Sequence, residues 1–74
     1  SGGEARLLAE CLDRLDADKA RLIRKAYFTG MSYSELSAAE QTPLGTMKSW
    51  MRRSLARLRE CLEGVSRHQP GGGQ

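Results

Sequence analysis

The sequence predicts an all-α fold, a small four-helix domain containing a helix-turn-helix. Three observations carry that prediction. Strand signals are absent, because Val, Ile and aromatic residues are scarce and no apolar–polar alternation runs beyond a few residues. Apolar residues recur instead at helical spacing, and the recurrences are bounded by capping residues or by glycine. The chain has 74 residues, and the roughly 60 suited to folding make one small domain near the lower size for an independent core.

Residues 1–3, Ser-Gly-Gly, read as an expression scar or a disordered start, and residues 64–74 as a disordered tail, rich in Gly and holding the lone His68. The domain is expected over 4–63. Leu7, Leu8, Cys11, Leu12 and Leu15 place a first amphipathic helix over about Glu4 to Leu15. Asp16 caps the second, with Asp18 set favourably against the positive end of its dipole. Leu22, Ile23 and Ala26 form its buried stripe, joined by Tyr27 or Phe28, and Gly30 closes it.

The third helix has the clearest start. Ser32-Tyr33-Ser34-Glu35 is a capping box, and Met31 and Leu36 supply its hydrophobic staple. This short helix is expected to stop near Ala39. Thr42 as N-cap and Pro43 at the first helical position then open a fourth helix, which runs to about Leu62. At about 100° per residue, Cys61, Ser54, Met47, Leu58, Met51, Leu62 and Leu55 share one arc, with Trp50 at its edge. Lys48, Ser49, Arg52 and Arg53 project outward from the N-terminal half.

A short capped helix, a tight turn and a longer helix make a helix-turn-helix, whose second helix enters the DNA major groove N-terminus first. The exposed residues suit that task. Lys48, Arg52 and Arg53 are donors for guanine edges or for phosphates, and Ser49 and Thr46 serve in either role. Pro43 and Gly45 present no bulk, so the helix start is free to approach the backbone with its amides. Arg57 extends the set one turn further. The net charge is only +3, yet Lys48, Arg52, Arg53, Arg57 and Arg59 follow one another with no acid before Glu60. A solvated helix face is the plainer reading of such a block.

Other function classes find no residues to carry them. There is no Ser/His/Asp arrangement, no acid/base carboxylate pair and no phosphate loop, so no catalysis, cofactor or metal is expected. No apolar run has the length of a membrane span. Cys11 and Cys61 lie far apart without a CxxC. Both are read as reduced thiols of a cytoplasmic protein, a bridge between their helices being geometrically allowed but not expected.

The stretch GMSYSELSAAEQTPLGTMKSWMRRSLARLREC resembles region 4 of bacterial sigma factors of the extracytoplasmic-function group. That pattern is approximately G-[LM]-S-Y-x-E-[IL]-A, a turn, P-x-G-T-V-K-S-R, a basic amphipathic stretch and L-R-x-x-L. It is met here at Gly30, Ser32, Tyr33, Glu35, Leu36, Pro43, Gly45, Thr46, Lys48, Ser49, Leu58, Arg59 and Leu62. The preceding LDRLDADKARLIRKAYFTG is similar to the opening of the same domain, so the resemblance covers about Leu12 to Leu62. It implies a monomeric domain that binds the −35 promoter element as double-stranded DNA, docks on the flap of the RNA polymerase β subunit, and is met by an anti-sigma factor. It also implies a phosphate contact from the Tyr33 hydroxyl, against the alternative of a plain surface tyrosine.

Three positions depart from the pattern. Gln41 stands where the turn usually has Gly, which implies a longer turn or an unusual backbone angle at Gln41. Thr42 replaces an aliphatic residue. Trp50 replaces the Arg after K-S, and two roles stay open for it: packing on the second or third helix, or contact with DNA sugar or a thymine methyl. Two other readings of the whole chain are the output domain of a response regulator, which would dimerise through its last helix, and a helical protein-interaction module without specific DNA readout.

Overall fold

The computed structural model describes residues 2–67. Residue 1 and residues 68–74, which hold most of the expected tail, lie outside the described residues. Four helices follow in order: α1 (Gly2–Asp13), α2 (Ala17–Phe28), α3 (Tyr33–Ala39) and α4 (Leu44–Arg67). No strand occurs among the described residues, and α4 packs against each of the other three helices.

Capping explains most of the boundaries. Asp16 accepts the Asp18 amide at 2.9 Å and starts α2. Gly30, at φ 79°, supplies the left-handed residue after the Thr29 cap that lets the chain leave α2. Both halves of the capping box on α3 are made: the Glu35 amide donates to Ser32 Oγ at 3.0 Å, and the Ser32 amide donates to Glu35 Oε1 at 2.8 Å. At the other end of α3 the Glu40 amide donates to the Leu36 carbonyl at 2.8 Å.

The core is one cluster: Cys11, Leu12, Ala20, Leu22, Ile23, Leu36, Met47, Met51 and Leu58, with Ser54 buried beside them. Met47 and Met51 fill the space over which α3 and α2 meet α4, as unbranched side chains that adapt to irregular gaps. Full burial of a leucine such as Leu36 contributes about 1.5–3 kcal/mol relative to leaving it in water.

Five expectations are corrected. Helix α1 ends at Asp13, and the chain then tightens through Arg14 N–H to Cys11 C=O and Leu15 N–H to Leu12 C=O, both 3.1 Å. Tyr27 and Phe28 do not join the buried stripe of α2; they are 57% and 62% exposed, and Ala20 takes the buried position instead. Thr42 is not the cap of α4. Its hydroxyl donates to the Glu40 carbonyl at 3.1 Å and its amide to the Ser37 carbonyl at 2.9 Å, so it finishes the turn rather than starting the helix. The Pro43 carbonyl accepts the first bond of α4, from the Met47 amide at 2.9 Å, which makes Pro43 the cap residue. Helix α4 also continues past Leu62, to Arg67.

The fifth correction is chemical. Cys11 and Cys61 are joined in a disulfide, with their Cα atoms 5.8 Å apart across 50 residues of sequence. The reason is packing: Cys11 lies on the buried face of α1 and Cys61 on the core arc of α4, so the contact between the helices brings the two Cβ atoms within bridging range.

Candidate nucleic-acid interface

The four-residue connection between α3 and α4 sets the geometry of the helix-turn-helix. Gln41 adopts φ 51°, the unusual backbone angle that its replacement of glycine implied. Glu40, beside it, is held by α2. Its carboxylate accepts from Arg21 at 2.8 and 3.0 Å, a two-bond fork, and lies 3.7 Å from Lys25 Nζ. The hydrogen bond from Arg21 is the main cause that keeps the Glu40 carboxyl below its ordinary 4.5, opposed by its partial burial, and the same bond raises Arg21. The turn is thus clamped to a neighbouring helix before α4 begins.

At the start of α4 a proline cap offers no side-chain acceptor. The first amides, those of Leu44, Gly45 and Thr46, have no intrahelical carbonyl to meet, and they form the positive end of a long helix. A Cβ placed on Gly45 would meet nothing within 4 Å, so the protein's own packing does not require a glycine there.

Of the expected site residues, Pro43, Gly45, Thr46, Lys48, Arg52, Arg53 and Arg57 are exposed around this end and along α4. Ser49 is half-buried, its short side chain lying one turn before those of Arg52 and Arg53. Trp50 is half-buried against the core, and Lys19 of α2 places its ammonium 4.4 Å from the centre of the indole ring. Packing on α2 is therefore observed for Trp50. Tyr33 is half-buried at the first position of α3, with its hydroxyl 3.0 Å from that of Tyr27. That bond, followed by burial, pushes the Tyr33 phenol up to about 12. Its proton is therefore retained, and the phenol remains a donor.

The cations divide by location. Arg21, Arg24, Lys25 and Arg59 are engaged with Glu40, Asp13, Glu40 and Glu63 respectively. Lys48, Arg52, Arg53 and Arg57 have no ion pair among the described residues. Arg21, Arg24 and Lys25 of α2 are thus tied to α1 and to the turn, whereas Lys48, Arg52, Arg53 and Arg57 of α4 carry no such tie among the described residues. This division was not legible in the sequence, since Arg21 and Glu40 are 19 residues apart.

A second surface lies on the other side of the core. Leu8, Leu12, Ile23, Tyr27, Leu55 and Leu58 line an apolar groove of about 280 Å³ shared by α1, α2 and α4, with Phe28 at its edge. Among the described residues no group of three or more His, Cys, Asp or Glu is placed to hold a metal. No helix among them is long and apolar enough to cross a membrane.

The sigma-70, region 4 family model matches residues 5–58. The chain is 43% identical over 63 residues to the ECF RNA polymerase sigma factor SigK of Mycobacterium ulcerans, covering 85% of this chain and 34% of that protein. It is 40% identical over 63 residues to SigK of Mycobacterium tuberculosis, with the same coverage, and 37% identical over 59 residues to SigK of Mycolicibacterium vanbaalenii, covering 80% of this chain and 30% of that one. The chain thus spans about a third of the length of these curated relatives. No solved structure matches it at a significant level. A family match over most of the folded residues, on a helix-turn-helix with its capping box intact, establishes that the chain belongs to the sigma-70 region 4 family.

Proposed function

We propose that this domain recognises the −35 element of a promoter and, by docking on RNA polymerase, helps direct transcription initiation in the cytoplasm. The observation that carries the reading is that Lys48, Arg52, Arg53 and Arg57 of α4 have no ion pair among the described residues, above a helix start whose first amides have no intrahelical acceptor. The N-terminal half of α4 lies in the major groove, with Lys48, Arg52 and Arg53 donating to base edges or flanking phosphates and Ser49 on the meridian between them. The amides of Leu44 to Thr46 meet a backbone phosphate that Gly45 leaves room for. The Tyr33 hydroxyl donates to another.

The apolar groove of α1, α2 and α4 is assigned to the β flap, and it is the surface that an anti-sigma factor would cover. Exposed Tyr27 and Phe28 give it the aromatic anchors that such contacts favour. Flap docking raises the local concentration of the domain at the promoter, so a modest intrinsic DNA affinity is sufficient.

Selection from randomised duplex DNA by this chain fused to a flap domain, at two salt concentrations, tests the reading. An enriched motif is expected, and Lys48→Ala, Arg52→Ala and Arg53→Ala should each weaken binding. Loss of a base contact relaxes preference at one position, by about 1–3 kcal/mol, whereas loss of a phosphate contact lowers the salt slope. No enrichment with flap binding intact would make the domain a protein-contact module and remove the DNA assignment.

A further inference from the structure

Between α2 and α4 lies a cleft of about 290 Å³. Lys19 of α2 borders it on one side and Trp50, Arg53 and Arg57 of α4 on the other, with the buried Ser54 between and Asp16 at one end. We propose that this cleft binds a backbone phosphate of the DNA duplex, with Trp50 as the platform that positions Lys19. The proposal rests on the DNA-binding reading given above and adds α2 to the contact surface.

Charge is the first argument. Three cations line the cleft against one carboxylate, and that carboxylate is engaged: Asp16 Oδ1 accepts the Asp18 amide at 2.9 Å as the cap of α2. Neither Arg53 nor Arg57 has an ion pair among the described residues. Like charges gathered around one concavity repel, and an anion between them relieves the repulsion.

The second argument is the restraint on Lys19. A lysine on an exposed helix samples many rotamers, and ordering it for one contact costs side-chain entropy. Here the ammonium already sits 4.4 Å from the Trp50 ring centre, which directs it toward the cleft without neutralising its charge. Part of the ordering is complete before any ligand arrives.

The third argument is direction. At about 100° per residue, Arg53 lies about 140° around α4 from Lys48, with the Ser49 meridian between them. A helix seated in a major groove about 12 Å wide has a phosphate strand on each flank. With Lys48 and Arg52 on one flank, the Lys19–Arg53–Arg57 cleft faces the other strand. Lys19, Arg53 and Arg57 are each able to donate to a phosphate oxygen, so the cleft is assigned to a phosphodiester, met irrespective of sequence.

A methylphosphonate scan of a selected duplex, in which phosphates are neutralised one at a time, tests this with the full chain and its variants. The wild type is expected to lose affinity at a phosphate flanking the motif, and Lys19→Gln to become insensitive there. The same variant should lower the salt slope by about one while keeping the base preference. Trp50→Leu should lose the same phosphate signal with Lys19 still present, and Trp50→Phe should restore it. A Lys19→Gln chain that selects its motif with an unchanged phosphate profile and salt slope would overturn the proposal and leave the promoter reading intact. Selection of no motif by the wild type would overturn both. Loss of flap-protein binding in Lys19→Gln, with its DNA profile unchanged, would assign the cleft to an acidic protein segment and likewise end the proposal.

Discussion

Gln41 holds φ at 51°, in a region where a side chain costs about 1 kcal/mol or more and glycine costs almost nothing sterically. Gln41→Gly is therefore expected to raise stability by about 0.5–1 kcal/mol, once the extra freedom it gives the unfolded chain is subtracted. Urea unfolding of the two proteins measures the difference directly. Tyr33 offers a different single-residue test. Its phenol lies at about 12 because of the bond to Tyr27 and its own burial. A raised folded value means that the bond stabilises the fold fully below the ordinary 10.0 and is lost as pH rises through about 12. In Tyr27→Phe the Tyr33 titration, followed by ultraviolet difference absorbance, should fall back toward 10. Tyr33 has one hydrogen to give, so while it donates to a phosphate its bond with Tyr27 holds only with Tyr27 as the donor. Sequence reasoning gave the unusual angle at Gln41 as one of two outcomes, and it placed Tyr33 at the first position of α3 but exposed, where the structure has it half-buried against Tyr27. It missed the Tyr27 partner, because α2 was expected to bury an aromatic that the structure exposes.

At the scale of elements, the capping box, the Asp16 cap and the core stripes of α2 and α4 were legible because they depend on residues within a few positions of one another. The start of α4 was legible only in part. Thr42 has the chemistry of a cap, but its hydroxyl goes to the Glu40 carbonyl, a competition that residue type alone does not decide. The clamp on that turn was not legible, since it joins α2 to the end of α3. Glu40 is held below 4.5, chiefly by Arg21, so its pairing stabilises the fold above that value and is lost as pH falls through the lower folded one. Glu40→Gln should flatten the acid limb of stability, seen by comparing thermal melts between neutral pH and pH about 3. An acid limb unchanged from wild type would show that other carboxylates govern it. Ser32→Ala, which removes the other well-made cap, is expected to cost about 1 kcal/mol at every pH in that range.

For the whole molecule the disulfide dominates. It joins residues 50 apart in a domain with a small core. In the chain-entropy description a loop of that length is worth about 4 kcal/mol at 25 °C, a large share of the 5–15 kcal/mol typical of a folded domain. Reduction is expected to lower the melting temperature by roughly 15–30 °C. A Cys11→Ala, Cys61→Ala protein should melt near the reduced wild type and be indifferent to reductant. Equal melting of the oxidised and reduced wild type would show that packing of α1 alone holds the termini. The bridge escaped the sequence reading for a physical reason: cysteine spacing along a chain says nothing about which helix faces meet, and compartment arguments favour thiols. The separation of paired from unpaired cations is another property of the assembled molecule, visible only once α2 and the turn are in place.

Helix α4 carries both surfaces. Lys48 and Leu58 lie ten residues apart on one unbroken helix, about 15 Å along its axis, the first on the DNA side and the second in the apolar groove. No hinge separates them, so in the proposed complex the azimuth at which the domain meets the duplex is phase-locked to the azimuth at which it meets the polymerase. A promoter whose −35 element is displaced by one base pair turns that element by roughly 35° about the DNA axis, given about 10 base pairs per turn. The rod offers no torsional slack to follow it. Any tolerance of spacing has to reside in chain outside α4 or in the twist of the DNA itself.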